Sequence, residues 1–374
     1  MIICRHSLRF TTVHVRQRRT LRVLGIESTC DETGIAVVED ETVVSSRLAS
    51  QWNLLKENGG VVPILAAREH ELNLPRLYND VFNSLAEDGN SERLKVDAIA
   101  VAAGPGLGPC LHVGVEFAKN LCAIHSLPFI AINHLEAHIL VNHLVTPALT
   151  FPYLAMILSG GHTQILVVNG IGRYDLLGTT QDDAIGEAFD KIAKLLSIES
   201  PSGESPGRSL ELLAQSSVNR ERFAFPVAMN RRRDCHFSYS GLKAAVRRLL
   251  EQLPSPISSE TAADVAFAFQ RAAVAQIESR LKYAFKNYVG KISGISSVVL
   301  GGGACCNLAI RDAVRNVAES QNVEFICPPA NLCGDNGISI AYTGILKYRL
   351  GHTDPLSIGY SARWPIGNPV LATK

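Results

Sequence analysis

No stretch of about 18 residues in the 374-residue chain is apolar without a charge or a histidine, so no membrane span is expected. Cysteine is present as nine scattered residues, an odd number, and no two form a CxxC pair. That usage argues against a disulfide framework and fits free thiols in a reducing compartment. Glycine and proline together are about 12% of the chain, which excludes collagenous, low-complexity and wholly disordered classes. Acidic residues are missing altogether before Glu27, while residues 1–22 hold Arg5, Arg9, Arg16, Arg18, Arg19 and Arg22. An acid-free, arginine-rich start has the character of a mitochondrial transit peptide, although a basic nucleic-acid arm has the same composition. With those arginines set aside, 30 basic residues face 35 acidic ones, a net charge of about −5. Any nucleic-acid contact must then come from a local patch and not from bulk charge.

What is present is a repeat. From Leu21, the segments LRVLGIEST, GIAVVED and ETVVSSRLAS read as a three-stranded antiparallel meander. A helix over about 64–87 follows, then the strand and glycine loop VDAIAVAAGPGLG, a helix from Val113 to His125, and the short strand FIAINH running into a helix. YLAMILSGGHTQILVVNG, SSVVLGGGA and EFICPP repeat that order, with helices at about 184–198, 239–252, 261–289, 306–320 and 336–349. A duplicated α/β pattern predicts two lobes, each a mixed sheet flanked by helices, with a cleft between them. This is the architecture of actin, the sugar kinases and the heat-shock ATPases, whose glycine turns face the cleft and hold phosphates. The boundaries expected are a leader at 1–22, a first lobe at 23–152 completed by the helix at about 336–350, a second lobe at 153–335 with an insertion at about 199–260, and a tail at 351–374.

His134 and His138 stand four apart in NHLEAHIL and share one helix face, a spacing that suits two ligands of one ion. Alone, such a pair equally suits packed or surface histidines. Glu136 lies between them on roughly the opposite side, unlike the base of the H-E-x-x-H zinc peptidases. At the matching place in the second repeat stands Asp335 of LCGDNG, which a helix N-cap would also explain. Taken as a triple, the three residues form a ligand set with positions left open. The SGGH turn with Ser159, Gly160 and Gly161 is a plain hairpin or a place for close ligand approach. GGGACCN, with Asn307 early in a helix, is a candidate anion or nucleotide loop of neither Walker nor Rossmann spacing. In GEAFDK, Glu187 and Asp190 can face one polar partner such as a ribose, or solvent. Arg231, Arg232, Arg233, Lys243, Arg247 and Arg248, interleaved with His236, Phe237 and Tyr239, form a basic cluster able to hold a phosphate backbone and stack a base, or an exposed loop. Cys305 and Cys306 have no catalytic base paired with them and read as packing.

In this order GIESTCDETGIAVV, NHLEAH, SGGHTQ, GEAFDK, GGGACCN and CGDNG resemble the tRNA threonylcarbamoyladenosine transferase family, once called O-sialoglycoprotein endopeptidases, over roughly residues 22–350. With its arginine-rich leader the chain is similar to the mitochondrial branch, which implies the matrix and a homodimer. The resemblance implies transfer of threonylcarbamoyl from threonylcarbamoyl-AMP to N6 of the adenosine 3′ to the anticodon, in mitochondrial tRNAs reading codons that begin with A. It implies one divalent metal, zinc or iron, on His134, His138 and Asp335. The donor would lie against Ile157, Leu158, Ser159, Gly160, Gly161, Asp190 and Asn307, with Gly207 and Glu211 contributing. Gly203 competes with Gly207, because the family's Pro-Gly-Gly turn is replaced here by ESPSGESPGRS. GGGACCN in place of GGVxxN, and Gly334 in place of Thr or Ser, are departures that leave every ligand in place. Because the donor is an activated mixed anhydride, no nucleophilic residue is expected beyond the metal site. The rival readings are a metallopeptidase, for which Glu136 has the wrong offset, a small-molecule kinase, for which imidazoles replace the usual carboxylates, and a non-enzymatic RNA-binding scaffold.

Overall fold

Every residue of the strand Ala98–Gly104 is buried, a pattern that only a sheet covered on both faces allows. The computed structural model describes residues 19–86, 95–201, 204–289 and 294–366, and builds that strand into the first of two sheets. In chain order the first repeat gives β1 (Arg22–Glu27), β2 (Glu32–Glu39), β3 (Thr42–Ser50), α1 (Trp52–Asn58), α2 (Pro63–Ala86), β4 (Ala98–Gly104), α3 (Gly108–His125), β5 (Phe129–Asn133), α4 (His134–Leu140) and α5 (Asn142–Val145). The second gives β6 (Tyr153–Leu158), β7 (Thr163–Gly170), β8 (Arg173–Thr179), α6 (Ile185–Leu195), α7 (Pro206–Gln215), α8 (Ser240–Leu250), α9 (Ser259–Asn287), β9 (Ser297–Gly301), α10 (Leu308–Ser320), β10 (Glu324–Ile326), α11 (Ala330–Cys333) and α12 (Gly337–Arg349).

The sheets have one topology. Their orders are β3-β2-β1-β4-β5 and β10-β9-β6-β7-β8, with an antiparallel meander on one side and parallel strands on the other. Helices α2 and α3 cover the outer face of the first sheet, and α6 to α10 cover that of the second. Between the sheets lie α12, packed on β1, β2 and β4, and α4, which touches strands of both. Leu135, Ile139 and Leu140 of α4 are at most 1% exposed. Burying each contributes about 1.5–3 kcal/mol, which holds a short polar helix in the seam.

Three segments refine the sequence expectation. Arg22, assigned above to the leader, is the first residue of β1 and pairs with Glu39, while Leu21 N–H donates to Asp40 Oδ1 at 2.9 Å. The fold therefore claims residues 21 and 22, Arg19 pairs with Asp97, and residues 1–18 of the expected leader lie outside the described residues. Within the expected insertion at 199–260, α7 packs against α6 and α9 in the second lobe. Residues 351–366 are no loose tail. Asp354 N–H donates to Phe129 O and its Oδ2 accepts from Ala131 N–H, both at 2.8 Å, closing the edge of β5. Ser361 N–H reaches Ala103 O, and Trp364 is buried in the first lobe's core. These partners lie more than 200 residues upstream, where no local pattern reveals them.

Candidate metal centre and its cleft

Asn133 ends β5 and starts α4: its Oδ1 accepts from Leu135 and Glu136 N–H, while its Nδ2 donates to Trp364 O at 3.1 Å. The cap fixes the first turn. On the face so presented, His134 Nε2 and His138 Nε2 are 3.1 Å apart. Asp335 arrives from the other repeat, its Oδ1 at 3.1 Å from His138 Nε2 and 3.5 Å from His134 Nε2. The N-cap of α12 is the neighbour Asn336, whose Oδ1 accepts from Ser339 N–H, so the Asp335 carboxylate is free of that duty.

These separations test whether a metal fits. Ligands bonded at about 2.0–2.1 Å to a tetrahedral ion stand roughly 3.3 Å apart. The three donor atoms meet that spacing within a few tenths of an ångström, and among the described residues they form the one cluster able to hold an ion. Glu27, fully buried, lies with Oε2 2.9 Å from His134 Nδ1. With a metal bound, a proton held on Nδ1 by Glu27 would leave the Nε2 lone pair facing the ion, the usual work of a carboxylate behind a ligating histidine. Burial opposes charge on His134, but Glu27 and Asp335 outweigh it and raise the imidazole to about 9. Burial likewise opposes charge on Asp335, yet His134 and His138 hold its carboxyl well below the usual range.

Sequence reasoning passed over several residues of this cleft. His162 of the SGGH turn is pushed down to about 4, first by burial and then by His134 and His138. Asp31 and Glu32 share a hydrogen bond, and both are raised by burial and by the nearby Asp335. The available signal was two adjacent acids, with Glu27 upstream, in an otherwise apolar strand–turn–strand.

Opposite the metal ligands, the ends of β6 and β9 meet. Ile157 and Leu158 are fully buried in the cores on either face of the sheet, so their side chains are closed to a ligand. Ser159, Gly160 and Gly161 remain, and a Cβ on either glycine would meet open space. Gly302, at φ +98°, has the left-handed backbone that admits glycine, and a Cβ there would lie 2.5 Å from Leu158 O. Gly301 is pressed on His138 O in the same way, which draws the second glycine loop against α4. Asp190 Oδ1 accepts from Gly207 N–H at 2.8 Å. Glu211, buried, accepts from Leu308 N–H at 2.8 Å and pairs with Arg208. Asn307 caps α10 through Oδ1 and donates through Nδ2 to Gln270 at 2.9 Å, so its amide serves the loop first. Asp190, Gly207, Glu211 and Asn307 are thus joined along one wall; Gly203 lies outside the described residues.

The basic cluster is less basic than its composition. Arg232 pairs with Asp234, Lys243 with Asp183 and Arg247 with Glu251. Among the described residues Arg231, Arg233 and Arg248 have no acidic partner. Phe237 and Tyr239, read above as stacking candidates, are at most 1% exposed and belong to the core. Burial pressure from the sheet below, invisible in a loop sequence, explains the difference.

Residues 42–342 match the family model of TsaD, the tRNA N6-adenosine threonylcarbamoyltransferases. The chain belongs to this family. It is 44% identical over 350 residues to the tRNA N6-adenosine threonylcarbamoyltransferase of Methylorubrum extorquens, covering 92% of this chain and 98% of that protein. A probable mitochondrial tRNA N6-adenosine threonylcarbamoyltransferase of Arabidopsis thaliana is 38% identical over 367 residues, covering 93% of this chain and 75% of that one. Among solved structures, HypF of T. kodakarensis superposes with a TM-score of 0.55 at 16% identity over 89% of this chain and 48% of its own. That likeness supports the fold alone: two α/β lobes of the actin and sugar-kinase type. Family membership makes the chain a tRNA-modifying transferase. No helix among the described residues is long and apolar enough to cross a membrane.

Glu136 separates this centre from that of a peptidase. It turns away from the ligand face and is held by Lys347 Nζ at 2.9 Å, Tyr174 Oη at 2.7 Å and Gly172 N–H at 2.9 Å. A carboxylate so committed has no reach to a water on the metal side.

Proposed function

We propose that this protein transfers threonylcarbamoyl from threonylcarbamoyl-AMP to N6 of the adenosine 3′ to the anticodon of mitochondrial tRNAs reading codons that begin with A. The observation that carries the reading is the convergence of His134, His138 and Asp335 from two repeats beside the wall of Ser159 to Gly161, Asp190, Gly207, Glu211 and Asn307. One divalent ion, zinc or iron, would be held by the two imidazoles and the carboxylate; when bound it supplies positive charge to oxygens of the donor. The open turn at Gly160 and Gly161 lets a donor approach the backbone closely, and ionised Asp190 accepts hydrogen bonds from ribose hydroxyls. Donor and tRNA base held in one cleft gain the positioning contribution of an intramolecular reaction. The exocyclic amine attacks the carbamoyl carbon and AMP leaves, so no residue of the chain need act as nucleophile. Arg231 and Arg233 face the tRNA, with Lys243 and Arg247 engaged instead within the protein. Purified protein with threonylcarbamoyl-AMP and unmodified mitochondrial tRNA should form threonylcarbamoyladenosine, read by nucleoside analysis, without another protein. Failure to form it at any metal loading would overturn the proposal.

Asp190 gives a pH signature. Burial pushes its carboxyl from 3.8 up to about 6, with the Gly207 N–H pulling the other way. A raised value means that folding favours the protonated form: this stabilisation is complete below the unfolded value and is lost as pH rises through about 6. Asp190→Asn should therefore melt above wild type at pH 8 and close to it at pH 4, while binding the donor at least tenfold more weakly at pH 8. Calorimetry and donor titration at the two pH values check both halves.

The leader and assembly belong to the same reading. A fusion of residues 1–35 to a fluorescent protein should enter mitochondria, and a diffuse cytosolic signal would return the arginines to a basic arm. The homodimer should elute at twice the chain mass in light-scattering chromatography; elution as a monomer at micromolar concentration would remove it.

A further inference from the structure

Helix α9 grips the turn that precedes α8. Arg280, 1% exposed, donates to the carbonyls of Arg232 and Asp234 at 2.9 Å and also to that of Met229. One turn earlier Gln276, equally buried, donates to Ala228 O at 2.7 Å and accepts from Ser238 N–H at 3.2 Å. Residues 276 and 280 share one face of the helix, so two buried side chains hold both ends and the middle of an eleven-residue turn. Met229 is kept at φ +54°, a backbone conformation uncommon for a residue with a side chain. A guanidinium buried among carbonyls, with no carboxylate closer than 3.9 Å, is an unusual expense for a loop of no use.

The turn also has a defined address. Phe237 N–H donates to Thr179 O at 3.2 Å, Gln181 N–H to Phe237 O at 2.9 Å, and Thr180 N–H to Thr163 O at 2.9 Å. This ladder leads from the basic turn to the residue following His162, at the rim of the cleft. Within this turn Arg231 and Arg233 are exposed and, among the described residues, have no acidic partner, while Arg232 between them is neutralised by Asp234.

We propose that residues 228–238 form a preformed platform for the phosphate backbone of the RNA acceptor, with Arg231 and Arg233 as the contacts and Arg280 as the positioning residue that sets them. The proposal rests on the reading above that tRNA enters this cleft. Its physical basis is that a turn already fixed loses little freedom when a phosphate binds, so each arginine contributes more than it would from a mobile arm. Arg280 itself never meets the RNA.

The test is binding of unmodified tRNA over a series of salt concentrations, with donor affinity and nucleoside product measured on the same preparations. Arg231→Ala with Arg233→Ala should weaken tRNA binding by about tenfold near physiological salt and reduce the slope of log affinity against log salt by about one to two. Donor affinity should stay at the wild-type value. Arg280→Met, which keeps the volume and removes the three carbonyl bonds, should weaken tRNA binding several-fold. In that background the loss of Arg231 and Arg233 should cost much less than in wild type, the coupling expected of a positioning residue. An unchanged salt slope in the double variant, or wild-type binding by folded Arg280→Met, would overturn the platform. The surface pair decides even if Arg280→Met does not fold. Wild-type protein that binds tRNA through these arginines yet makes no threonylcarbamoyladenosine upholds the platform and removes the transferase reading instead.

Discussion

Asp335→Ala, His134→Ala and His138→Ala should each lose nearly all bound metal and lower threonylcarbamoyl transfer by roughly a thousandfold. Removing one of three donors spaced at 3.1–3.5 Å leaves two, too few for a site that must also keep open positions. Charge stabilisation by a metal contributes several kcal/mol, and about 4 kcal/mol corresponds to that loss of rate. The three variants should differ in stability. His134→Ala strands Glu27, whose carboxylate then keeps, among the described residues, only the Thr29 N–H at 2.6 Å in a fully buried position. A buried group short of a partner costs about 1–3 kcal/mol, so this variant should melt lowest of the three. Asp335→Ala strands no carboxylate and should melt nearest to wild type. Elemental analysis, transfer rate and melting temperature on all three provide the check. Full metal occupancy in Asp335→Ala would show that the site does not join the repeats.

The second large effect is expected at Glu136, outside the metal face. It is 3% exposed and ties α4 to Lys347 at the end of α12 and to Tyr174 and Gly172 at the β7–β8 turn of the other lobe. Glu136→Ala leaves the Lys347 ammonium in a largely buried place with no counter-charge among the described residues, a change that typically costs about 3–5 kcal/mol. Glu136→Gln can still accept from Tyr174 and Gly172 and should lose less. Both variants should retain metal in proportion to the folded fraction, and the folded protein should keep much of its activity. Chemical denaturation beside metal content separates this from a catalytic role. A stable, metal-loaded and inactive Glu136→Ala would make Glu136 a base and revive the peptidase reading.

Much of this molecule is legible along the chain because its determinants are local. The meander–strand–strand order appears twice as apolar runs broken by turns, and burial of whole strands such as β4 follows from a duplicated α/β pattern. The i, i+4 histidines need only helical geometry to share a face. Asp335 could be matched to them because the duplication places equivalent junctions opposite one another. Other features had no local signal. Glu27 behind His134, Asp31 with Glu32, and Trp364 behind Asn133 depend on contacts between residues about 100 to 230 positions apart or on shared burial. The basic cluster shows the same limit from the other side. Composition counted six cations, but folding brought Asp183 to Lys243, 60 positions away, and sent Phe237 and Tyr239 inward, whereas the Arg232–Asp234 pair is local. The sequence by itself determined the two-lobe fold and the family, since periodicity and motif order encode them, and it brought His134, His138 and Asp335 forward as candidate ligands. Only the tertiary structure decided which charges remain free and which carboxylates are committed, because pairing and desolvation depend on distances that the chain sets when the lobes close around α4 and α12.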